Sequence, residues 1–267
     1  AVGGVVHAVL EVGRAACDRF TTDDKPRFVL GSIGPGTKLI TLDQIAWSTM
    51  VESYVEQARG LIAGGADAFL IETCQDILQV KAVIRACVLA LKEAGKTPDD
   101  IPIMVSVTIE QTGTMLMGTS IEGALATLKD LPIASLGLNC ATGPTEMAEH
   151  VAHLGKHWGT DGRSISVVPN AGLPVLVEGQ TEYPLGPRPF VDAMLRFIDE
   201  HGVGIVGGCC GTTPEHIALL TQETASLSAP SKARTPIAPS STSLYGPVDH
   251  RQDNSFLIVG ERCNASG

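Results

Sequence analysis

Short aliphatic runs alternate with longer stretches of helical period along most of this chain. The runs lie at 27–35, 67–74, 101–109, 134–140, 164–172 and 203–211. Each is rich in Val, Ile and Leu and nearly continuous in apolar character, as expected of strands buried on both faces of a parallel sheet. Residues 44–64, 75–94, 120–129, 144–158 and 187–201 carry helical patterns between them. Gly64 and Gly65 supply a helix stop, and Pro144 and Pro214 suit first helical turns. The first twenty residues also read as a helix, with Val6, Val9, Leu10 and Ala16 along one stripe. Six such repeats predict an α/β fold, either a (β/α)8 TIM-type barrel or a doubly wound sheet. A barrel needs eight strands and typically ~250 residues. Here six strands follow an opening helix.

The pattern breaks near residue 225. Residues 226–255 are rich in Ser and Pro, lack periodicity and read as an extended linker. Residues 256–267, FLIVGERCNASG, read as the first strand of another domain. The division expected is therefore a domain over 1–225, a linker and a new beginning. The formal net charge is -10 with no basic cluster, which argues against nucleic acid as a partner. No run approaches the ~20 apolar residues of a membrane span, and the N-terminus lacks the pattern of a signal peptide. The seven cysteines are irregularly spaced, which fits reduced thiols in the cytoplasm better than a disulfide framework.

Polar and thiol groups gather at the C-terminal ends of the predicted strands: Glu72, Thr108, Glu110, Asn139, Cys140, Asn170, Cys209 and Cys210. That edge holds the active site in barrels and in open α/β sheets alike. The adjacent thiols Cys209 and Cys210 sit among Gly207, Gly208 and Gly211, where the backbone is free to bend. With Cys140 they make three soft donors suited to Zn2+, leaving a fourth position open. On spacing alone this stands level with a pair of small buried residues. His150, His153 and His157 recur at helical spacing, which suits a solvated helix face better than a metal site.

The stretches GLNCATGP, PNAGLP and VGGCCGTTPEHI, with GSIGPG and IETCQD, closely resemble the homocysteine S-methyltransferase family. The resemblance covers most of residues 1–225. It implies a (β/α)8 barrel with zinc held by Cys140, Cys209 and Cys210, and homocysteine entering through its sulfur. It implies Asn170 as a fourth ligand before substrate arrives and Glu72 near the substrate amino group; Asn139 and Thr108, from their place at the same strand-end edge, are expected to bind substrate as well. The Asp-Gly-rich first strand and the Thr-Asn-Thr-like end of the second do not occur here. The barrel is therefore expected to lack its first two strands in this chain. The tail resembles the start of a pterin-binding domain in cobalamin-dependent members, with Cys263 where those carry Thr. This implies methylcobalamin as methyl donor and cobalamin- and folate-binding domains of a longer protein as partners. The chain would then supply the acceptor half of a methyl transfer that forms methionine. The competing readings are a methyltransferase using betaine or S-methylmethionine, and a non-catalytic barrel with a structural zinc site.

Overall fold

The computed structural model describes residues 2–228 and 231–253. The chain opens with α1 (Val2–Phe20) and then alternates: β1 (Leu30–Ile33), α2 (Trp47–Ala63), β2 (Ala68–Cys74), α3 (Ile77–Glu93), β3 (Ile103–Val107), α4 (Ile121–Leu128), β4 (Ser135–Asn139), α5 (Pro144–His157) and β5 (Ser164–Val168). A small hairpin, β6 (Val175–Val177) and β7 (Gln180–Glu182), precedes α6 (Pro187–His201), β8 (Ile205–Val206) and α7 (Pro214–Thr224). A second hairpin, β9 (Ser240–Thr242) and β10 (Pro247–Asp249), follows. All six aliphatic runs become strands of one parallel sheet. Pro144 and Pro214 open their helices, and Gly202 ends α6 in the left-handed conformation.

The sheet order is β1-β2-β3-β4-β5-β8, every pair parallel and every step in the same direction. Right-handed crossovers that all step one way place all their helices on one face. A doubly wound sheet needs a reversal of order, and none occurs. The sheet is thus singly wound and curls as half of a barrel, helices outside. Among the described residues β1 and β8 are its two unpaired edges.

The two faces differ in chemistry. Ile33, Phe69, Ile71, Ile103, Val105, Val107, Leu136, Leu138, Ile165 and Val167 are all fully buried and form the main core with the helices. Their alternate neighbours on the inner face, Ser106, Thr108, Ser135, Asn139 and Ser166, are small or polar, and buried as well. The near-continuous apolar reading of the runs therefore holds for burial but not for composition. At the β1 edge the inner face opens to solvent: Phe28 is 64% exposed and Leu30 41%.

Residues 231–249, expected as part of a linker, lie against the helices. Arg234 donates to the carbonyls of Trp158 and Gly202, and Thr235 N–H donates to the Lys156 carbonyl at 2.8 Å. Ser120 N–H donates to the Tyr245 carbonyl at 2.8 Å, and Ile237 and Leu244 pack on the core. The expected strand over 256–267, with Cys263, lies outside the described residues. No helix among the described residues is long and apolar enough to cross a membrane.

Candidate metal centre

Strand β5 positions the thiols. The carbonyl of Val168 accepts from the Cys140 N–H at 3.2 Å, and that of Pro169 accepts from the Cys209 N–H at 2.8 Å. One cysteine thus leaves β4 and the other leaves β8, registered on opposite sides of the same strand. Neighbours of one strand stand two spacings apart, about 9.6 Å, so both loops must fold back over β5. Cys140 and Ala141 do so with positive φ, 59° and 54°, a conformation that side chains rarely adopt. On the other side the bend comes at Gly211, with φ 79°. Neither Gly207 nor Gly208 has positive φ, but a Cβ on Gly208 would come within 2.3 Å of the Thr212 side chain, so Gly208 serves a close approach rather than a left-handed bend.

The three sulfurs converge. Cys140 Sγ lies 3.8 Å from Cys210 Sγ, which lies 3.9 Å from Cys209 Sγ, and all three fall within 4.8 Å of one another. Sulfurs bound at ~2.3 Å to one tetrahedral zinc stand about 3.8 Å apart, so donor type and spacing both fit such an ion. Among the described residues no other His, Cys, Asp or Glu group meets this test. Of the α5 histidines, His153 stands 3.7 Å from Glu122 of α4, and His157 Nδ1 hydrogen-bonds the Thr235 carbonyl at 2.8 Å. Without metal, the thiols share charge. The Cys140 thiol is held down at about 5, chiefly by a hydrogen bond from the Cys209 thiol and further by the Ala141 N–H and by Cys210 and Asn170. Cys209 is pushed up for the same reason, being the donor, and by burial.

Asn170 ties the two loops together. Its Oδ1 accepts from the Cys210 N–H at 3.1 Å, and its own N–H donates to the Thr142 carbonyl at 3.1 Å. The other sequence candidates lie toward the C-terminal ends of β2, β3 and β4. Asn139 uses its whole amide on Thr73: Oδ1 accepts from the Thr73 N–H at 2.9 Å and Nδ2 donates to the Thr73 Oγ1 at 2.8 Å. This clamp holds Thr73 at φ 60°, where the register of β2 slips. Thr108 Oγ1 donates to the Asn139 carbonyl at 3.1 Å, and Glu72 accepts from Ser32 Oγ. Asn139 and Thr108 thus support the strand end from which Cys140 departs, and Glu72 alone of the three keeps a partly exposed carboxylate.

Two residues escaped sequence reasoning. Tyr183 follows β7 and packs on Gly211, where a Cβ would come within 2.3 Å of its ring. His216 is buried. Its Nδ1 accepts from the Thr213 N–H at 3.2 Å, so Nε2 carries the proton and donates to the Leu185 carbonyl at 2.9 Å. The Glu-Gly pair at 178–179 between two short β-rich runs was the available signal for the hairpin that brings Tyr183 here.

Residues 1–224 match the family model described as homocysteine S-methyltransferase. The chain belongs to this family. It is 45% identical over 256 residues to the methionine synthase of Mycobacterium tuberculosis and 46% identical over 260 residues to that of Mycobacterium leprae. In each case 96% of this chain matches 21% of the relative, so the chain spans about a fifth of the length of these curated relatives. Its fold resembles the crystal structure of the Escherichia coli homocysteine methyltransferase MmuM. The TM-score is 0.64 for the apo form (20% identity; 82% of this chain, 73% of that one) and 0.60 for the metallated form (20% identity; 83% and 70%).

Proposed function

We propose that this chain binds homocysteine and activates its sulfur as the methyl acceptor in a cobalamin-dependent methionine synthase. The observation that carries the reading is the convergence of Cys140, Cys209 and Cys210 from two strand ends at tetrahedral-edge spacing. Zinc held by these sulfurs would keep a fourth, substrate sulfur deprotonated at neutral pH, where a free thiol is mostly protonated and weakly nucleophilic. Three thiolate ligands leave that sulfur electron-rich. The protein's own residues do the rest. Asn170 fixes both cysteine loops, and we assign it the fourth position before substrate arrives. Glu72, partly exposed on the same inner face, suits the substrate ammonium, with Asn139 and Thr108 framing the pocket. A centre that needs free thiols suits the reducing cytoplasm.

The methyl donor in this reading is methylcobalamin, carried with a folate-binding domain on parts of a longer protein outside this chain. The relatives' names and the fivefold difference in length support it. The barrel reading supports a division into a homocysteine domain over 1–225, a connecting segment to about 255, and the first strand of a pterin-binding domain after it. It also supports two further strands closing the barrel between β8 and β1, since both edges are unpaired among the described residues and the inner face at β1 is exposed.

Zinc quantitation with X-ray absorption, with and without homocysteine, tests the proposal. The expected result is one zinc with three sulfurs, rising to four on adding homocysteine. No gain of sulfur overturns thiol activation. Cys209→Ala should weaken zinc binding about 100-fold or more, because one of three ligands carries roughly a third of a binding energy on the order of 10 kcal/mol. Unchanged zinc binding overturns the ligand assignment.

A further inference from the structure

The C-terminal ends of β2, β3 and β4 are tied together by hydrogen bonds that skip a strand. The sheet order places β3 between β2 and β4, and strands two apart stand about 9.6 Å from each other. Yet the Asn139 side chain, at the end of β4, crosses the end of β3 to reach β2. Its Oδ1 accepts from the Thr73 N–H at 2.9 Å, and its Nδ2 donates to the Thr73 Oγ1 at 2.8 Å. Strand β3 joins the same network through Thr108. The Thr108 N–H donates to the Cys74 carbonyl at 3.0 Å, and its Oγ1 donates to the Asn139 carbonyl at 3.1 Å. Asn139 and Thr108 are both buried.

What the Asn139 clamp holds is a bulge. Ile71 pairs with Val105 and Cys74 with Val107, so β2 takes three steps where β3 takes two. Ile71 and Cys74 are both fully buried in the main core. The extra residue therefore leaves Glu72 and Thr73 together on the other side. Bulges re-aim side chains in this way and recur beside active sites. Thr73 takes φ 60°, which a β-branched residue adopts only where its surroundings hold it there. Asn139 supplies that hold. Next in the chain after Asn139 is Cys140, itself at φ 59°. One side chain thus links Glu72, the residue before Thr73, to the first thiol of the centre.

We propose that Asn139 is a positioning residue that sets the reach from the thiol centre to Glu72, and so selects an amino thiol of homocysteine's length. The inference rests on the reading of the site given above, with the substrate sulfur at the metal and its ammonium at Glu72. A substrate held at both ends must match the distance between its anchors. Cys140 carries one anchor and Glu72 the other, on strands that do not pair with each other. Their register passes through β3, and it slips where β2 bulges. The clamp replaces that lost register with a direct link. Loosening it frees Glu72 to move, which weakens the ammonium contact and leaves the sulfur contact in place. Asn139 acts through Thr73 and not by touching the substrate.

The test compares homocysteine with 4-sulfanylbutanoate, the same molecule without its amino group, by calorimetric titration of the zinc-loaded protein. The wild type should prefer homocysteine about 10–100-fold, the worth of one charge-assisted hydrogen bond. Thr73→Val is isosteric and removes the acceptor of the Asn139 Nδ2, two strands away from Cys140. It should keep one zinc and the wild-type affinity for 4-sulfanylbutanoate, and lose most of the preference for homocysteine. Thr73→Ser, which keeps the hydroxyl, should retain that preference. In a Glu72→Gln background Thr73→Val should change homocysteine affinity no further, because it acts through Glu72. Asn139→Ala releases the clamp from its other end, should lose the preference as well, and serves where Thr73→Val does not fold. Full preference in both variants overturns the proposal. So do equal losses for the two ligands, or effects of Glu72→Gln and Thr73→Val that simply add. A wild type with no preference overturns the assignment of Glu72 to the ammonium, and this inference with it. That failure is seen before any variant is compared.

Discussion

At the scale of single residues, the cysteines divide by environment. Cys74 and Cys87 are fully buried, and burial pushes each thiol up to about 12, so both stay protonated and unreactive at pH 8. Cys140 is held down at about 5 by hydrogen bonds, so it is a thiolate throughout the neutral range. The thiolate is the nucleophile in alkylation. Iodoacetamide at pH 7–8 should therefore modify the Cys140 peptide first and leave Cys74 and Cys87 untouched until urea is added. One equivalent of zinc should protect the cluster and not alter the other two. Mass spectrometry of the digested protein reads this directly, and labelling of Cys74 at the rate of Cys140 contradicts the assignment. The seven cysteines were countable in the sequence, and three at strand ends suggested a metal. That Cys140 reaches the pair by a positive φ on itself and on Ala141, not by the glycines, was not legible. That strain is held by a hydrogen bond to β5, a contact with no local sequence signature.

At the scale of elements, strands were readable because each aliphatic run is bounded by turn residues, and helices in part because proline opens α5, α6 and α7 and glycine closes α2 and α6. Three-residue strands are too short to show a period, so both hairpins went unseen. The strap at 231–249 looks unstructured because most of its attachments run through backbone carbonyls, which composition does not encode. The inner face was hidden for another reason. Its residues are small, and small residues between aliphatics look like interruptions until pairing aligns them. Gly137 shows the consequence. It pairs with Ser106 on one side and Ser166 on the other, and a Cβ there would lie 2.0 Å from both the carbonyl oxygen and the Oγ of Ser166. Backbone cannot yield as a flexible side-chain tip does. Gly137→Ala should cost about 3 kcal/mol or more, at the upper end of overpacking effects. Urea denaturation measures it. A loss under about 1 kcal/mol would mean that β4 and β5 are farther apart than described. Because β5 carries the carbonyls that register Cys140 and Cys209, the same variant should also weaken zinc binding.

At the scale of the whole molecule, the question is what the open side of the sheet does. A parallel sheet is ordinarily covered on both faces, and this one is covered except at its rims. The centre of the inner face is buried, as Ser106, Ser135 and Ser166 show. Toward β1 the same face exposes Phe28 and Leu30, two large apolar side chains next to a row of unpaired strand groups. Unpaired edges invite pairing. If two further strands close the barrel in the longer protein, as proposed, Phe28 is buried there and exposed here. Phe28→Ser should then change the stability of the isolated chain by no more than about 0.5 kcal/mol, the usual range for an exposed site. In the full-length protein it should destabilise the homocysteine domain by about 1.5–3 kcal/mol, the worth of burying such a side chain. Chemical denaturation of both proteins decides it. Equally small effects in the two would mean that nothing covers this edge, and the eight-stranded barrel would have to be given up. A large effect in the isolated chain that vanishes on dilution would assign the edge to a second copy of the chain.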